Sequence, residues 1–412
     1  MYLYAPPFSI VKEEDHRYKI SDVLGGRFIF SQESISGTLP LIGRNTEELE
    51  KEELSLAKSL LEVGFLVETK FKRRDYFNYL KVRDRIDKGD GNIGDILTIG
   101  SVTFALINEC PYSCEGCYAK TTTNDKRAPL FDEKRLEILM RDLSELGANN
   151  ISISGGEPTF SKDTIRKTII LAEIASQAGI PSRLITTGYN LDTYAGELFD
   201  SPISHYQISL DGCADYNDKY KKFKGATERA VASIKRCIDA GVEYSVNSVI
   251  TRKNLDSLID FSSFLINLGV EELKVSRVMT YDDSLVLNAE DSKQLRKIIK
   301  ELKEEYPKKI NSFLDNQYIH ENYIDCVAGK LYAHINCFGE VLPCAFYQTR
   351  SAGNIYSSKF FDIWSVNNTV LKEFQEGIVL KEDLTNCENR FDFFGNCRIE
   401  YEIWRSKCQN PC

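Results

Sequence analysis

Three cysteines, Cys110, Cys114 and Cys117, fall within eight residues in the stretch INECPYSCEGCYAK. A structural metal site closes its coordination with protein ligands, whereas a catalytic site leaves a position open. Spacings of three and then two residues let one short loop reach three corners of an iron–sulfur cubane, leaving one iron without a protein ligand. Such an iron can be chelated by the amino and carboxylate groups of an amino-acid-like cofactor. A zinc ion completed by a distant ligand is the competing reading of the same thiols.

Further polar signatures stand at the ends of strand-like runs. SGGEPT holds Ser154, Gly155, Gly156, Glu157 and Pro158, and QISLDG holds Ser209 and Asp211. Thr186 and Thr187, Asn247 and Ser248, and Ser276 and Arg277 lie at three more such runs. Ordinary barrel polarity accounts for these six as well as a cofactor pocket does. Only four histidines occur, His16, His205, His320 and His334, and none stands out as a general base.

The remaining thiols are unevenly placed. Cys213 and Cys237 fall mid-chain, and seven follow residue 325: Cys326, Cys337, Cys344, Cys387, Cys397, Cys408 and Cys412. Cys237 sits in the amphipathic run ERAVASIKRCIDAGV and reads as a small core residue. Without a recognisable secretion signal, twelve cysteines point to metal or redox chemistry rather than to a disulfide framework. The cytoplasm is the expected compartment, and no apolar run is long enough to span a bilayer.

The elements that must position these residues form a regular alternation from about 96 to 280. Strand candidates are ILTIGSVTFALI, NISISG, SRLITTG, HYQISLDG, YSVNSVI and ELKVSRVM, separated by amphipathic stretches that end in Gly. Six βα units predict an α/β fold with a parallel sheet curled into a partial (β/α)6 TIM-like barrel, its active-site loops at the strand C-termini. Residues 1–92 read as a small N-terminal α+β module. RYKISDVL and RFIFSQESIS form a hairpin around Gly25 and Gly26, Asn45 and Glu48 cap a helix, and GFLVE returns as a strand. Strands plus a helix make the module winged-helix-like. The expected boundaries are 1–92, 93–310 for the barrel and 311–412 for a cysteine-rich tail of short elements that metal sites would order.

Composition sets limits on function. With 42% hydrophobic and 27% charged residues the chain is an ordinary globular protein, and a net charge of −9 argues against nonspecific nucleic-acid binding. The run from Lys70 to Lys88 carries eight basic and three acidic residues, which reads as a solvated helix or as a surface for an acidic peptide.

CPYSCEGCY, with Tyr118 as the aromatic beside the last cysteine, resembles the CxxxCxxC motif of the radical S-adenosylmethionine (SAM) superfamily. The resemblance implies a [4Fe-4S] cluster on Cys110, Cys114 and Cys117 that passes an electron into SAM, giving a 5′-deoxyadenosyl radical that abstracts hydrogen from substrate. Ser154 to Pro158 match the family's GGE motif, which implies that Glu157 meets the SAM ammonium group. Ser209 and Asp211 resemble the pair that the family directs at the SAM ribose. The tail from Cys326 to Trp364 resembles a SPASM or twitch domain, which implies one or two auxiliary iron–sulfur clusters on the seven tail cysteines. Two four-iron clusters would need one thiol more than these seven supply. The spacing of Cys387, Cys397, Cys408 and Cys412 is wider than the family's dense block.

Members of this kind modify ribosomally made peptides, so the resemblance implies a precursor peptide with a leader, bound by a winged-helix-like element, and an electron donor such as a flavodoxin or ferredoxin. The expected reaction is thioether or other side-chain cross-link formation. Oxidation of a protein Ser or Cys, dehydrogenation of a small molecule and peptide epimerisation, with Cys213 as hydrogen donor, are the rivals within the class. A noncatalytic metal-binding scaffold is the rival outside it.

Overall fold

The computed structural model describes residues 2–4, 8–12, 17–22, 27–42, 44–69, 99–119, 126–312, 314, 326–365, 368–375 and 397–405. The basic run at Lys70 to Lys88 and the thiols Cys387, Cys408 and Cys412 lie outside them.

At the N-terminus, β1 (Tyr2–Tyr4) precedes an antiparallel meander of β2 (Phe8–Lys12), β3 (Arg17–Asp22) and β4 (Arg27–Ser31). The expected hairpin is present, with Arg17 opposite Ser31. The second half of RFIFSQESIS, however, is not strand. It coils into α1 (Gln32–Thr38), because Ser31 Oγ accepts the Ser34 backbone N–H at 3.1 Å and caps the helix. Asn45 caps only a single 3₁₀ turn over Thr46–Glu48. The following helix, α2 (Lys51–Glu62), is capped by Glu50 and Glu53 in a reciprocal box. GFLVE does return as a strand, β5 (Val67–Thr69), antiparallel to β1. Leu3, Ile35, Leu39, Leu41, Leu60 and Phe65 form this unit's own core.

The six expected parallel strands follow in chain order across one sheet: β6 (Ser101–Ile107), β7 (Asn150–Gly155), β8 (Ser182–Thr186), β9 (Ile203–Ser209), β10 (Tyr244–Ile250) and β11 (Leu273–Arg277). The connecting helices are α3 (Glu133–Glu145), α4 (Lys162–Gln177), α5 (Ala195–Phe199), α6 (Ala214–Lys221), α7 (Ala226–Ala240) and α8 (Leu258–Asn267). Side-chain caps start several of them: Asp132 accepts the Arg135 N–H and Ser161 the Thr164 N–H. Gly241 ends α7 in a left-handed conformation, its N–H reaching the Cys237 carbonyl. A further helix, α9 (Ala289–Glu305), leads to the edge strand β12 (Ile310–Asn311).

Strand alternation sorts the side chains. Phe104, Ile151, Ile153, Leu184, Tyr206, Ile208, Val246, Leu273 and Val275 pack into the main core with residues of the helices. Each such fully buried side chain contributes roughly 1.5–3 kcal/mol. The alternate positions, which include Ser152, Ser154, Arg183, His205, Gln207, Ser209, Asn247, Lys274 and Ser276, face the other way, into the curl of the sheet.

The tail joins this sheet rather than standing apart. Strand β13 (Tyr332–Ile335) runs parallel beside β6, with His334 in register with Thr103, and continues into β14 (Glu340–Leu342) and β15 (Gly353–Asn354). Ala333, Ile335, Val341, Trp364 and Leu371 enter the barrel's core. Three short helices complete the described tail: α10 (Phe360–Ile363), α11 (Thr369–Gln375) and α12 (Arg398–Arg405). Among the described residues no helix is long and apolar enough to cross a membrane.

Candidate active site

The loop carrying Cys110, Cys114 and Cys117 leaves the C-terminal end of β6 and is gripped from three sides. On the first, the Gly155–Gly156 turn presses onto its root. Gly156 N–H donates to the Ile107 carbonyl at 2.7 Å and Glu157 N–H to that of Glu109 at 2.8 Å. A Cβ on Gly156 would lie 1.9 Å from the Glu109 oxygen, so only glycine permits the approach.

On the second side stands the end of α6. Ser113 N–H donates to the Lys221 carbonyl and Glu115 N–H to that of Tyr220, each at 3.1 Å. Lys221 is buried, and its ammonium meets Asp211 Oδ2 at 2.8 Å. Asp211 Oδ1 also accepts the Val249 N–H at 2.9 Å. Burial alone would lower the affinity of Lys221 for its proton, but the charge of Asp211 and its hydrogen bond outweigh it and hold the ammonium above its ordinary range.

The third side is aromatic. The Tyr118 ring meets Phe346 edge-on with centroids 5.3 Å apart, and its hydroxyl lies 3.4 Å from Ser154 Oγ. Phe346 donates its N–H to Cys344 Sγ at 3.4 Å. One ring contact thus connects the first cysteine group to the tail.

Glu157 is fully buried and its carboxylate is filled from within the protein. Oε1 accepts from the Thr159 N–H, the Thr159 hydroxyl and the Thr186 hydroxyl; Oε2 accepts from the Thr187 N–H and hydroxyl. The three bonds from Thr186 and Thr187 tie the GGE turn to the end of β8, and the two from Thr159 close the turn locally. Thr186 and Thr187, ambiguous in the sequence, therefore act as donors to Glu157. Pro158 accepts the Thr168 hydroxyl through its carbonyl. Ser209 is half-buried on the inner face, in register with Asn247. Asn247 Oδ1 accepts the Ser276 hydroxyl at 2.8 Å. Ser248 points to the other face and is buried. Arg277 pairs with Glu400 of α12, its Nε donating at 2.8 Å.

The tail thiols divide. Cys326, Cys344 and Cys397 pack around one apolar cluster that includes Tyr347, Phe374 and Ile403. Cys326 and Cys397 share a hydrogen bond, which pulls the Cys326 thiol down and pushes that of Cys397 up. Cys337 stands elsewhere. It is buried in the turn after β13, its carbonyl accepts the Leu130 N–H at 2.8 Å, and Tyr356 is close to it. Cys237 is buried in the core, and Cys213 is exposed at the N-terminal end of α6.

Burial pushes Cys110 up to about 12, with Glu157 adding to the effect, and Cys114 up to about 11, with Lys221 opposing. Thiols in this condition keep their protons until a metal displaces them. Among the described residues no three Cys, His, Asp or Glu side chains already surround a single-ion site. The donor set of each group, sulfur alone, suits iron–sulfur ligation.

Comparison with known proteins agrees with this arrangement. Residues 105–265 match the family described as the radical SAM superfamily, and residues 326–398 match an iron–sulfur cluster-binding domain, SPASM. The chain is 25% identical to the PqqA peptide cyclase of Methylobacterium nodulans, over 72% of this chain and 80% of that protein. It is 24% identical to the PqqA peptide cyclase of Rhizobium meliloti, over 72% of this chain and 81% of that one. In fold it resembles Streptococcus suis SuiB bound to S-adenosylmethionine, with a TM-score of 0.69 at 15% identity, over 99% and 97% of the two chains. SuiB bound to its precursor peptide SuiA gives 0.68 at 16% identity, over 99% and 96%. Native anSMEcpe with bound AdoMet gives 0.59 at 16% identity, over 76% and 92%. Residues 105–265 are thus a radical SAM domain built as a partial barrel, and residues 326–398 a SPASM domain.

Proposed function

We propose that this protein is a radical SAM enzyme that modifies a ribosomally made precursor peptide, forming a thioether or another side-chain cross-link. The observation that carries the reading is the three-thiol loop at the mouth of the barrel, joined through Tyr118 and Phe346 to a second thiol group around Cys344. The PqqA peptide cyclases and the SuiB–SuiA complex support a peptide as substrate.

In this reading Cys110, Cys114 and Cys117 hold the [4Fe-4S] cluster and leave one iron for SAM. Cys326, Cys344 and Cys397 hold auxiliary iron–sulfur sulfur positions, joined by thiols from Cys387, Cys408 or Cys412. When bound and reduced, the cluster with SAM supplies a hydrogen-abstracting 5′-deoxyadenosyl radical. The chain's own residues position and enclose. The Gly155–Gly156 turn fixes the loop root, Glu157 locks that turn to β8, and the Asp211–Lys221 pair holds α6 beneath Cys114. Tyr118, packed over Ser154 and Phe346, excludes water from that side. Residues 1–92 serve as the peptide-recognition module, and a flavodoxin or ferredoxin supplies electrons.

Reduced, reconstituted protein is incubated with SAM and a precursor peptide encoded beside its gene. The reading expects 5′-deoxyadenosine together with loss of two hydrogens from the peptide. SAM cleavage with no change in any peptide, including one carrying acidic residues, would remove the peptide assignment. Removal of residues 1–92 should abolish peptide binding while SAM cleavage persists.

A further inference from the structure

A second group of charged side chains lies on the inner face of the sheet, away from the cysteine loop. Arg183 is the second residue of β8 and stands in register with His205 of β9. Lys274, the second residue of β11, shares the neighbourhood: Arg183 and Lys274 both act on His205. His205 Nε2 lies 2.8 Å from Ser245 Oγ. These residues stand near the starts of their strands, whereas the cysteine loop stands at the ends. Three residues of strand, about 10 Å, separate Arg183 from Thr186.

Among the described residues the charge of this group is not balanced. The only described carboxylate acting on it is Glu272, whose Oε2 is 3.7 Å from Lys274 Nζ and whose Oε1 already accepts from Asn311 Nδ2 at 2.7 Å. Two described cations therefore face one described carboxylate. Arg183 Nε is buried and has no hydrogen-bond partner. An unpaired buried donor on a charged group is expensive, and native structures fill such positions. Burial, followed by the fields of Arg183 and Lys274, pulls His205 down to about 4, so the imidazole is neutral at physiological pH and can donate or accept without adding charge. A planar guanidinium with a free edge, an adjacent ammonium and an imidazole together match a carboxylate, which takes the guanidinium in a fork.

We propose that Arg183, His205 and Lys274 form a carboxylate-binding subsite that anchors an acidic group of the peptide substrate inside the barrel. This inference rests on the peptide reading given above. An acidic residue or chain end held on the inner face fixes the depth of the peptide, and neighbouring residues then lie toward the mouth where the thiol loop stands. The subsite would set which substrate position is presented for hydrogen abstraction.

Histidine-selective NMR on the full-length protein reads the subsite directly, since only four imidazoles contribute signals. Three short acetylated peptides serve as probes: Gly-Glu-Gly amide, Gly-Gln-Gly with a free carboxyl end, and Gly-Gln-Gly amide. The subsite predicts that a carboxylate-bearing probe raises the His205 pKa from about 4 and that the neutral amide does not. A larger response to the first probe assigns an acidic side chain as the ligand; a larger response to the second assigns a chain end. Arg183→Gln, and separately Lys274→Gln on the neighbouring strand, should each weaken that response by about tenfold, as expected for one charge-assisted hydrogen bond. No response to any carboxylate, or a response untouched by both substitutions, would overturn the proposal. The readout is independent of turnover. A missing response in protein that does modify a peptide removes this inference alone, and a response in protein that modifies no peptide removes the reading on which it rests.

Discussion

The ammonium of Lys221 lies 2.8 Å from Asp211 Oδ2, with the two side chains only 5% and 3% exposed. The backbone carbonyl of the same lysine accepts from Ser113, beside Cys114. A buried ion pair therefore stands directly behind the catalytic loop. Breaking it from one side leaves a charge in a poorly solvated place. Lys221→Met should cost roughly 3–5 kcal/mol of stability, and the double substitution with Asp211→Asn should cost less than the sum of the two single changes. Chemical denaturation of the three variants checks this; strict additivity would mean that the pair is not coupled.

The Gly156 contact makes a sharper demand. A methyl group there would overlap the Glu109 carbonyl at 1.9 Å, which is backbone and cannot swing aside. Gly156→Ala should displace the root of the cysteine loop and reduce iron and sulfide retained after reconstitution. Gly196, where an added Cβ meets nothing within 4 Å and the backbone is not left-handed, serves as a control for general handling of the protein. Wild-type iron content in Gly156→Ala would refute the clamp.

Glu157→Gln tests whether the carboxylate is a structural acceptor. An amide keeps the shape but turns one acceptor into a donor facing Thr187 or Thr159 and Thr186, leaving donors opposed. A loss of about 1–3 kcal/mol is expected, with Thr187→Val producing a smaller loss. If Glu157→Gln retains full stability and fails only in SAM affinity, the carboxylate faces the cofactor instead.

The separation of the tail thiols predicts unequal roles. Cys344→Ala and Cys397→Ala should each lower auxiliary iron content, whereas Cys337→Ala should leave it unchanged, because Cys337 lies apart from the group around Phe374. Iron and sulfide analysis with Cys110, Cys114 and Cys117 intact distinguishes them, and iron loss in Cys337→Ala would place that thiol among the ligands.

His334 gives the fold a pH signature. Burial pulls its pKa from 6.5 down to about 4, and its Nδ1 has no partner. The unfolded chain takes the proton first as pH falls, so this contribution is present above about pH 6.5 and is lost as pH falls toward 4. The loss amounts to roughly 3 kcal/mol. Between these pH values the unfolding free energy should fall more steeply with falling pH for the wild type than for His334→Gln; identical pH slopes would contradict the assignment.

The barrel was legible because each of its strands carries an apolar face for the helices and ends at a glycine or a polar pair, a local and periodic signal. What escaped the sequence depends on partners far along the chain. Nothing in YAHI announces that β13 pairs parallel with β6, more than two hundred residues earlier. Lys221 sits in the run DKYKKFK, which reads as a solvated face, and only the folded position of Asp211 gives it a buried role. The Glu157 motif was visible, but three of its five protein donors, on Thr186 and Thr187, reach it only because β7 lies beside β8. In the N-terminal unit, Ser31 stops the strand by capping a helix, a choice that β-rich composition concealed.

The central claim is an iron left open by three cysteines and taken by SAM. Electron paramagnetic resonance of reduced, reconstituted protein carrying Cys326→Ala, Cys344→Ala and Cys397→Ala isolates the first cluster. The account predicts a [4Fe-4S] signal that shifts on addition of SAM and disappears in Cys114→Ala; a signal unmoved by SAM, or bound zinc without sulfide, would contradict it.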